Sequence, residues 1–148
     1  MLNRWTEDGS PNLCEALETV GAGSIAFSPL AQGMLTDSYL SGIPADSRAA
    51  QGRFLSALSL TEDTMDRVHG LHRIAQGRGQ SLAQMAIAWI LREQSKGSSV
   101  TSALVGASGA AQLEETLSAI NNLDFSDAEL TAIDEFAVGS DSKHRARQ

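Results

Sequence analysis

The stretch Ser102-Ala-Leu-Val-Gly-Ala-Ser-Gly-Ala-Ala-Gln-Leu-Glu-Glu-Thr-Leu117 constrains the fold most, because an apolar strand passes through a Gly/Ser turn directly into a helix. The turn exposes backbone N–H groups at a helix N-terminus, where unpaired donors and the helix dipole both favour an anion. Upstream lies a second strand-to-loop element, Ser24-Ile-Ala-Phe-Ser-Pro-Leu-Ala-Gln-Gly-Met-Leu-Thr36, which places an aromatic residue before a Gly-containing loop. The two elements are expected to form two walls of one nucleotide site.

Between and around them, strands alternate with helices. Leu2 to Trp5 reads as a strand stub, and Ser10-Pro11 as an N-cap and N1 proline for a helix through about Val20, with Leu13, Ala16, Leu17 and Val20 on one face. Gly21 and Gly23 end it, and the strand Ser24 to Ser28 is closed by Pro29. Ala31 to about Leu60 is rich in Gly, Ser and Asp. It is expected to be a long, partly mobile loop with a short helical stretch near Met34 to Leu40 and with Arg48 and Arg53 as its basic residues. Thr61-Glu-Asp opens a helix that the Gly77-Arg78-Gly79 turn ends. Ser81-Leu-Ala-Gln84 is a capping box for the next, whose stripe is Leu82, Met85, Ala86, Trp89 and Ile90. Lys96-Gly-Ser-Ser99 links it to a strand over Thr101 to Val105 and a helix from about Gly109 to Ile120. Ser126-Asp-Ala-Glu129 then caps a last helix with Leu130, Ile133 and Phe136 inward. This order implies parallel pairing with right-handed crossovers.

A chain of 148 residues is long enough to bury a core, and 42% hydrophobic with 20% charged residues is a globular composition. The net charge of −7 and pI near 4.8 argue against nucleic acid as a partner, since a general binder needs a basic face. The longest apolar run, Met85 to Leu91, is far short of a bilayer span, so no membrane association is expected. The N-terminus lacks the basic start and apolar stretch of a signal peptide. Cys14 is the only cysteine, which excludes an internal disulfide and fits a reducing, cytoplasmic setting. His69 and His72 share a helix face, but no Cys or carboxylate nearby completes a metal set.

At Phe27-Ser-Pro-Leu-Ala-Gln-Gly33, and at Val105-Gly-Ala-Ser108 followed by Gln112-Leu-Glu-Glu115, the sequence resembles the aldo-keto reductase superfamily. The subgroup it resembles contains the potassium-channel β subunits and bacterial glyceraldehyde-3-phosphate reductases. Gly42-Ile-Pro-Ala-Asp-Ser-Arg48 and Gly79-Gln-Ser-Leu-Ala-Gln-Met-Ala86 add to the match. The resemblance covers roughly residues 1 to 138 and leaves 139 to 148 as a tail expected to be flexible. It implies a TIM (β/α)8 barrel of which this chain holds only the last part, about strands 6 to 8 with their helices and a C-terminal helix. By the same resemblance Phe27 stacks on the nicotinamide of NADP, and Ser28, Pro29, Leu30, Gln32 and Gly33 line the pyrophosphate. Arg48 closes over the cofactor, Gly106 and Ser108 hold the 2′-phosphate end, and Gln112 and Glu115 contact the adenosine. Of Glu114 and Glu115, one is expected to be solvated while the other faces the ligand.

The family's catalytic Asp, Tyr, Lys and His belong to the first four strands, which this chain does not carry. Tyr39 lies in the wrong loop to replace that tyrosine. Relatives usually have a lysine at Ser38, a basic residue at Gly109 and an asparagine at Thr116, so NADP binding is expected to be weakened or lost in the isolated chain. Each missing charge-assisted contact is worth on the order of 1.5–3 kcal/mol. The resemblance therefore implies the cofactor-binding part of a reductase of aldehydes or ketones, inactive alone. The alternatives are an interaction or regulatory module that pairs with an N-terminal half or another copy, and a decayed split-gene product.

Overall fold

The computed structural model describes residues 13–40, 61–93 and 100–137. Helix α1 (Leu13–Thr19) leads into strand β1 (Ile25–Ala26) and then into two 3-10 turns, Ala31–Gly33 and Asp37–Tyr39. Helices α2 (Glu62–Gly77) and α3 (Leu82–Leu91), strand β2 (Ser102–Ala103), α4 (Ala110–Leu117), a 3-10 turn at Ser118–Asn121 and α5 (Asp127–Ala137) follow. The strand stub at Leu2 to Trp5, the Ser10-Pro11 cap, the loop segment with Arg48 and Arg53, the Lys96 linker and the 139–148 tail lie outside the described residues.

β1 and β2 pair in parallel, with Ile25 opposite Ser102 and Ala26 opposite Ala103. The Thr101 hydroxyl pins the start of the pair by accepting the Ser24 N–H at 2.9 Å. At the other end the Leu104 N–H donates to the Ala26 carbonyl at 2.9 Å. Both strands are shorter than the sequence suggests. Ser28 turns into the left-handed region (φ 54°), and an extended ladder cannot continue through that conformation.

The helix boundaries follow their caps. The Thr61 hydroxyl accepts the Thr64 N–H at 3.2 Å to start α2, with Glu62 and Asp63 in its electropositive first turn. Ser81 and Gln84 form the reciprocal box that starts α3 (2.9 and 3.2 Å), and Ser126 and Glu129 form the one that starts α5 (2.7 and 3.3 Å).

The core lies where α2, α3 and α5 meet: Val68, Leu71 and Ala75 of α2, Leu82, Met85, Ala86 and Trp89 of α3, and Ile133 of α5. Helix α3 departs from a one-sided stripe, since Ala83, Ile87 and Ala88 are buried as well. It is enclosed because α2 flanks it on one side while β2 and α4 pack elsewhere on it. Helix α1 departs the other way. Leu13 and Val20, read as part of a core face, are exposed, because no element among the described residues covers these side chains.

Gly70 sets the approach of α2 to α5. A Cβ built there would lie 2.3 Å from the Phe136 ring, and Arg67 Nε donates to the Phe136 carbonyl at 2.6 Å just beside it. Gly70→Ala should therefore cost about 1–3 kcal/mol through overpacking, in spite of the roughly 1 kcal/mol of helix propensity it gains. Urea denaturation checks this. Adding Phe136→Leu should return part of the loss, and a stabilised single mutant would show that the ring yields freely.

Candidate nucleotide site

Parallel pairing brings both strand ends to the same edge of the sheet, so the loops after β1 and β2 leave it side by side. Ligands of α/β folds bind at such carboxyl ends, where loops and helix N-termini converge. Phe27 stands at that edge with 83% of its surface exposed, which rules out core packing as its role within this chain. Ile25 and Leu104 share its sheet face and are also open, whereas Ala26 and Ala103 turn to the side on which α3 packs.

The loop after Phe27 is strained and anchored at once. Ser28, Ala31 and Gln32 all adopt left-handed backbone conformations (φ 54°, 49° and 59°), and Gly33 follows at φ 101°. Each non-glycine residue held there costs about 1–2 kcal/mol, so the surrounding structure must impose the shape. Leu35 supplies much of that restraint. It is 1% exposed and inserted among the core side chains, with Leu30, Ala31 and Leu40 packed at the margin. Hydrogen bonds tighten the path: Ala31 N–H to Ser28 O (3.0 Å), Gly33 N–H to Leu30 O (2.9 Å) and the Thr36 hydroxyl to Gly33 O (2.7 Å). Asp37 Oδ1 lies 3.5 Å from His72 Nδ1 on α2, too long for a good hydrogen bond. His72 thus faces a loop carboxylate, and among the described residues no group of three potential metal ligands occurs.

The second corner is open. Among the described residues no atom lies within 4 Å of a Cβ built at Gly106, so their packing does not demand glycine there. The Gln112 side-chain oxygen accepts from both the backbone N–H (2.8 Å) and the hydroxyl (3.0 Å) of Ser108, closing the turn. Gly109 begins α4 without a side-chain cap, which leaves the first turn uncovered. Glu114 and Glu115 are both exposed, and the Glu115 carbonyl accepts from Gln84 Nε2 at 3.1 Å.

Of the residues singled out in sequence, Phe27, Ser28, Pro29, Leu30, Gln32 and Gly33 fall on the first corner. Gly106, Ser108, Gln112 and Glu115 fall on the second, and Arg48 lies outside the described residues. Sequence reasoning missed Leu35, whose signal was a large aliphatic residue inside an otherwise small and polar stretch. It missed Ala31 and Gln32 as strained positions, for which composition carries no signal.

The model of the Aldo/keto reductase family matches residues 1–138. The chain belongs to the aldo/keto reductase family. The L-glyceraldehyde 3-phosphate reductase of Escherichia coli O157:H7 is 48% identical over 139 residues, covering 91% of this chain and 38% of that protein. The same protein of strain K12 matches equally. A probable voltage-gated potassium channel subunit beta of Oryza sativa subsp. japonica is 42% identical over 106 residues, covering 70% of this chain and 31% of its own. The chain thus spans well under half the length of the aldo/keto reductases it matches. Among its described residues no helix is long and apolar enough to cross a membrane.

Proposed function

We propose that this chain is the nucleotide-binding, carboxy-terminal part of an NADPH-dependent aldo/keto reductase whose complete form reduces an aldehyde or ketone carbonyl. The observation that carries the reading is the pair of adjacent corners at one sheet edge, one bearing an exposed phenylalanine on a strained loop and the other an uncapped helix start. Strain of this kind is kept where a backbone must meet a ligand. The family and the 48% identity to a reductase supply the chemistry.

NADPH, when bound, would supply the hydride. Phe27 offers its ring as a flat apolar platform for the nicotinamide, orienting one ring face toward the interior of the barrel. Ser28 to Leu30, Gln32 and Gly33 present the first corner to the pyrophosphate. Gly106 leaves room for the ribose phosphate, Ser108 would contribute its hydroxyl by turning it away from Gln112 Oε1, to which it donates at 3.0 Å, and the open first turn of α4 adds backbone N–H groups and the positive end of its dipole. Gln112 braces Ser108 through its oxygen and keeps its amide N–H groups for the adenosine, with exposed Glu115 one helical turn further on. Arg48, between the two corners in sequence, would add positive charge, as the family resemblance implies. The proton for the carbonyl oxygen must come from residues outside this chain, so hydride transfer by the chain alone is not expected.

Titration of the full chain with NADPH, followed by amide chemical shifts, tests the reading. Resonances of Phe27 to Gly33 and of Gly106 to Glu115 should move together, and Phe27→Ala should weaken binding by about 1 kcal/mol, roughly five-fold. Silence in both corners at millimolar NADPH, or aldehyde reduction above background by this chain alone, would overturn it.

A further inference from the structure

Asp37 and His72 stand across the gap between the loop after β1 and helix α2, and the nucleotide site proposed above uses neither of them. Asp37 is the one charged residue between positions 22 and 40. It opens the 3-10 turn Asp37–Tyr39, between Leu35, 1% exposed in the core, and Leu40, packed at the core margin. Its carboxylate therefore hangs on an arc that is fastened at both ends. Across from it, His72 Nδ1 is buried from solvent and makes no hydrogen bond among the described residues, although Asp37 Oδ1 lies 3.5 Å away. A charge-assisted N–H···O bond runs about 2.7–2.9 Å, so the pair is less than an ångström from closing.

The gap fits an imidazole with its proton on Nε2, whose Nδ1 lone pair meets a carboxylate oxygen with no hydrogen to share. Protonation replaces that lone pair with a charged donor. Closing the pair then takes up a proton, so a lower pH favours it until the carboxylate itself is neutralised. The other charged groups around His72 offer no substitute. On α2, His69 one turn earlier and Arg73 beside it are bases and supply no anionic acceptor. Helix α3 carries no charge from Leu82 to Leu91, and Arg92 beyond it covers the Trp89 ring at 4.0 Å. Helix α5 brings Asp127, Glu129, Asp134 and Glu135, of which Glu129 is engaged by Arg78 and Ser126. Among the described residues only Asp37 pairs with His72.

We propose that His72 and Asp37 form a proton-operated latch that tightens the corner after β1 as pH falls through the imidazole range. Gln32 and Gly33, which present that corner to the pyrophosphate in the reading above, lie just before the arc that carries Asp37. The inference adds regulation to that site and rests on the reading above for what the corner binds. The latch itself is tested without nucleotide, so a failure of NADPH to bind would leave it standing.

Amide exchange of the full 148-residue chain, parent against Asp37→Asn, is measured at about pH 5.5 and about pH 8, either side of the imidazole range and above the carboxylate range. Comparing the two proteins at one pH cancels the intrinsic pH dependence of exchange. The reporters are the Gly33, Leu35, Thr36 and Leu40 N–H groups, bonded to Leu30 O, Leu30 O, Gly33 O and Asp37 O. Asp37→Asn should speed their exchange about two- to five-fold at the lower pH, the size a partly exposed ion pair allows, and leave it nearly unchanged at the higher. Met85 and Ala86 of α3, as core references, should exchange alike in both proteins at both pH values. His72→Gln, an amide that does not titrate, should abolish the pH dependence. The latch is overturned if the ratio of parent to Asp37→Asn is the same at both pH values, if the core amides accelerate as much as the loop, or if His72→Gln keeps the parent's pH dependence.

Discussion

Replacing Arg78 by alanine is expected to destabilise the chain by about 2–4 kcal/mol in urea or thermal unfolding, because several partners lose a charged donor at once. The side chain is 3% exposed, yet its guanidinium is fully engaged. Nη1 donates to Glu129 Oε1 at 2.7 Å, Nε to Gln80 Oε1 at 2.9 Å and Nη2 to the Asp124 carbonyl at 2.9 Å, while the group stacks 3.7 Å from the Phe125 ring centroid. It thereby ties the end of α2 to the segment that enters α5. Arg78→Lys should recover only part of the loss, since an ammonium cannot reproduce the planar fork or the stacking.

The same site carries an acid dependence. Burial raises the Glu129 carboxyl, but the Ser126 N–H and hydroxyl together with Arg78 outweigh it and hold the pKa below its ordinary value. A depressed folded-state pKa contributes stability that is present above the unfolded carboxylate range and is lost as pH falls through the folded value. The difference between the parent and Arg78→Ala should therefore be largest near neutrality and shrink between about pH 5 and pH 3. A gap that is the same at pH 7 and pH 3 would show that the ion pair is not the source of the effect.

Leu35→Ala should lower stability by about 2–5 kcal/mol, the range for removing a fully buried leucine from a core that cannot collapse around the gap. Its second consequence separates it from an ordinary core substitution such as Leu71→Ala. Leu35 is the point at which the corner after β1 is fastened, and the left-handed residues Ala31 and Gln32 lie just before it. Amide exchange at Gly33 and Thr36, whose N–H groups bond to Leu30 O and Gly33 O, should accelerate more in Leu35→Ala than in Leu71→Ala at matched global stability. Equal exchange in the two variants would show that the loop holds its shape without the anchor.

Much of the local structure was legible residue by residue. Thr61, Ser81 and Ser126 start helices because a short side-chain oxygen followed three residues later by a suitable partner satisfies donors that no helix can satisfy itself. The strand-turn-helix junctions were legible for the same local reason. The burial of α3 beyond a single stripe was not. Its apolar residues suggested a stripe, and only the surrounding helices and strand buried Ala83, Ile87 and Ala88 beside it. The stripe on α1 was misleading in the opposite sense, since periodicity states which residues could be buried together and not whether anything covers them.

By itself the amino-acid order determined the caps, the helix periods, the two Gly-containing corners and, through the match over residues 1–138, membership of the aldo/keto reductase family. Tertiary structure alone decided that the two corners adjoin, that Leu35 anchors the first of them, that Arg78 joins α2 to α5, and that Phe27 and the flank of α4 stay open. The division has a physical cause. Capping and periodicity are satisfied within a few residues, whereas adjacency, anchoring and exposure depend on contacts between segments far apart in the chain.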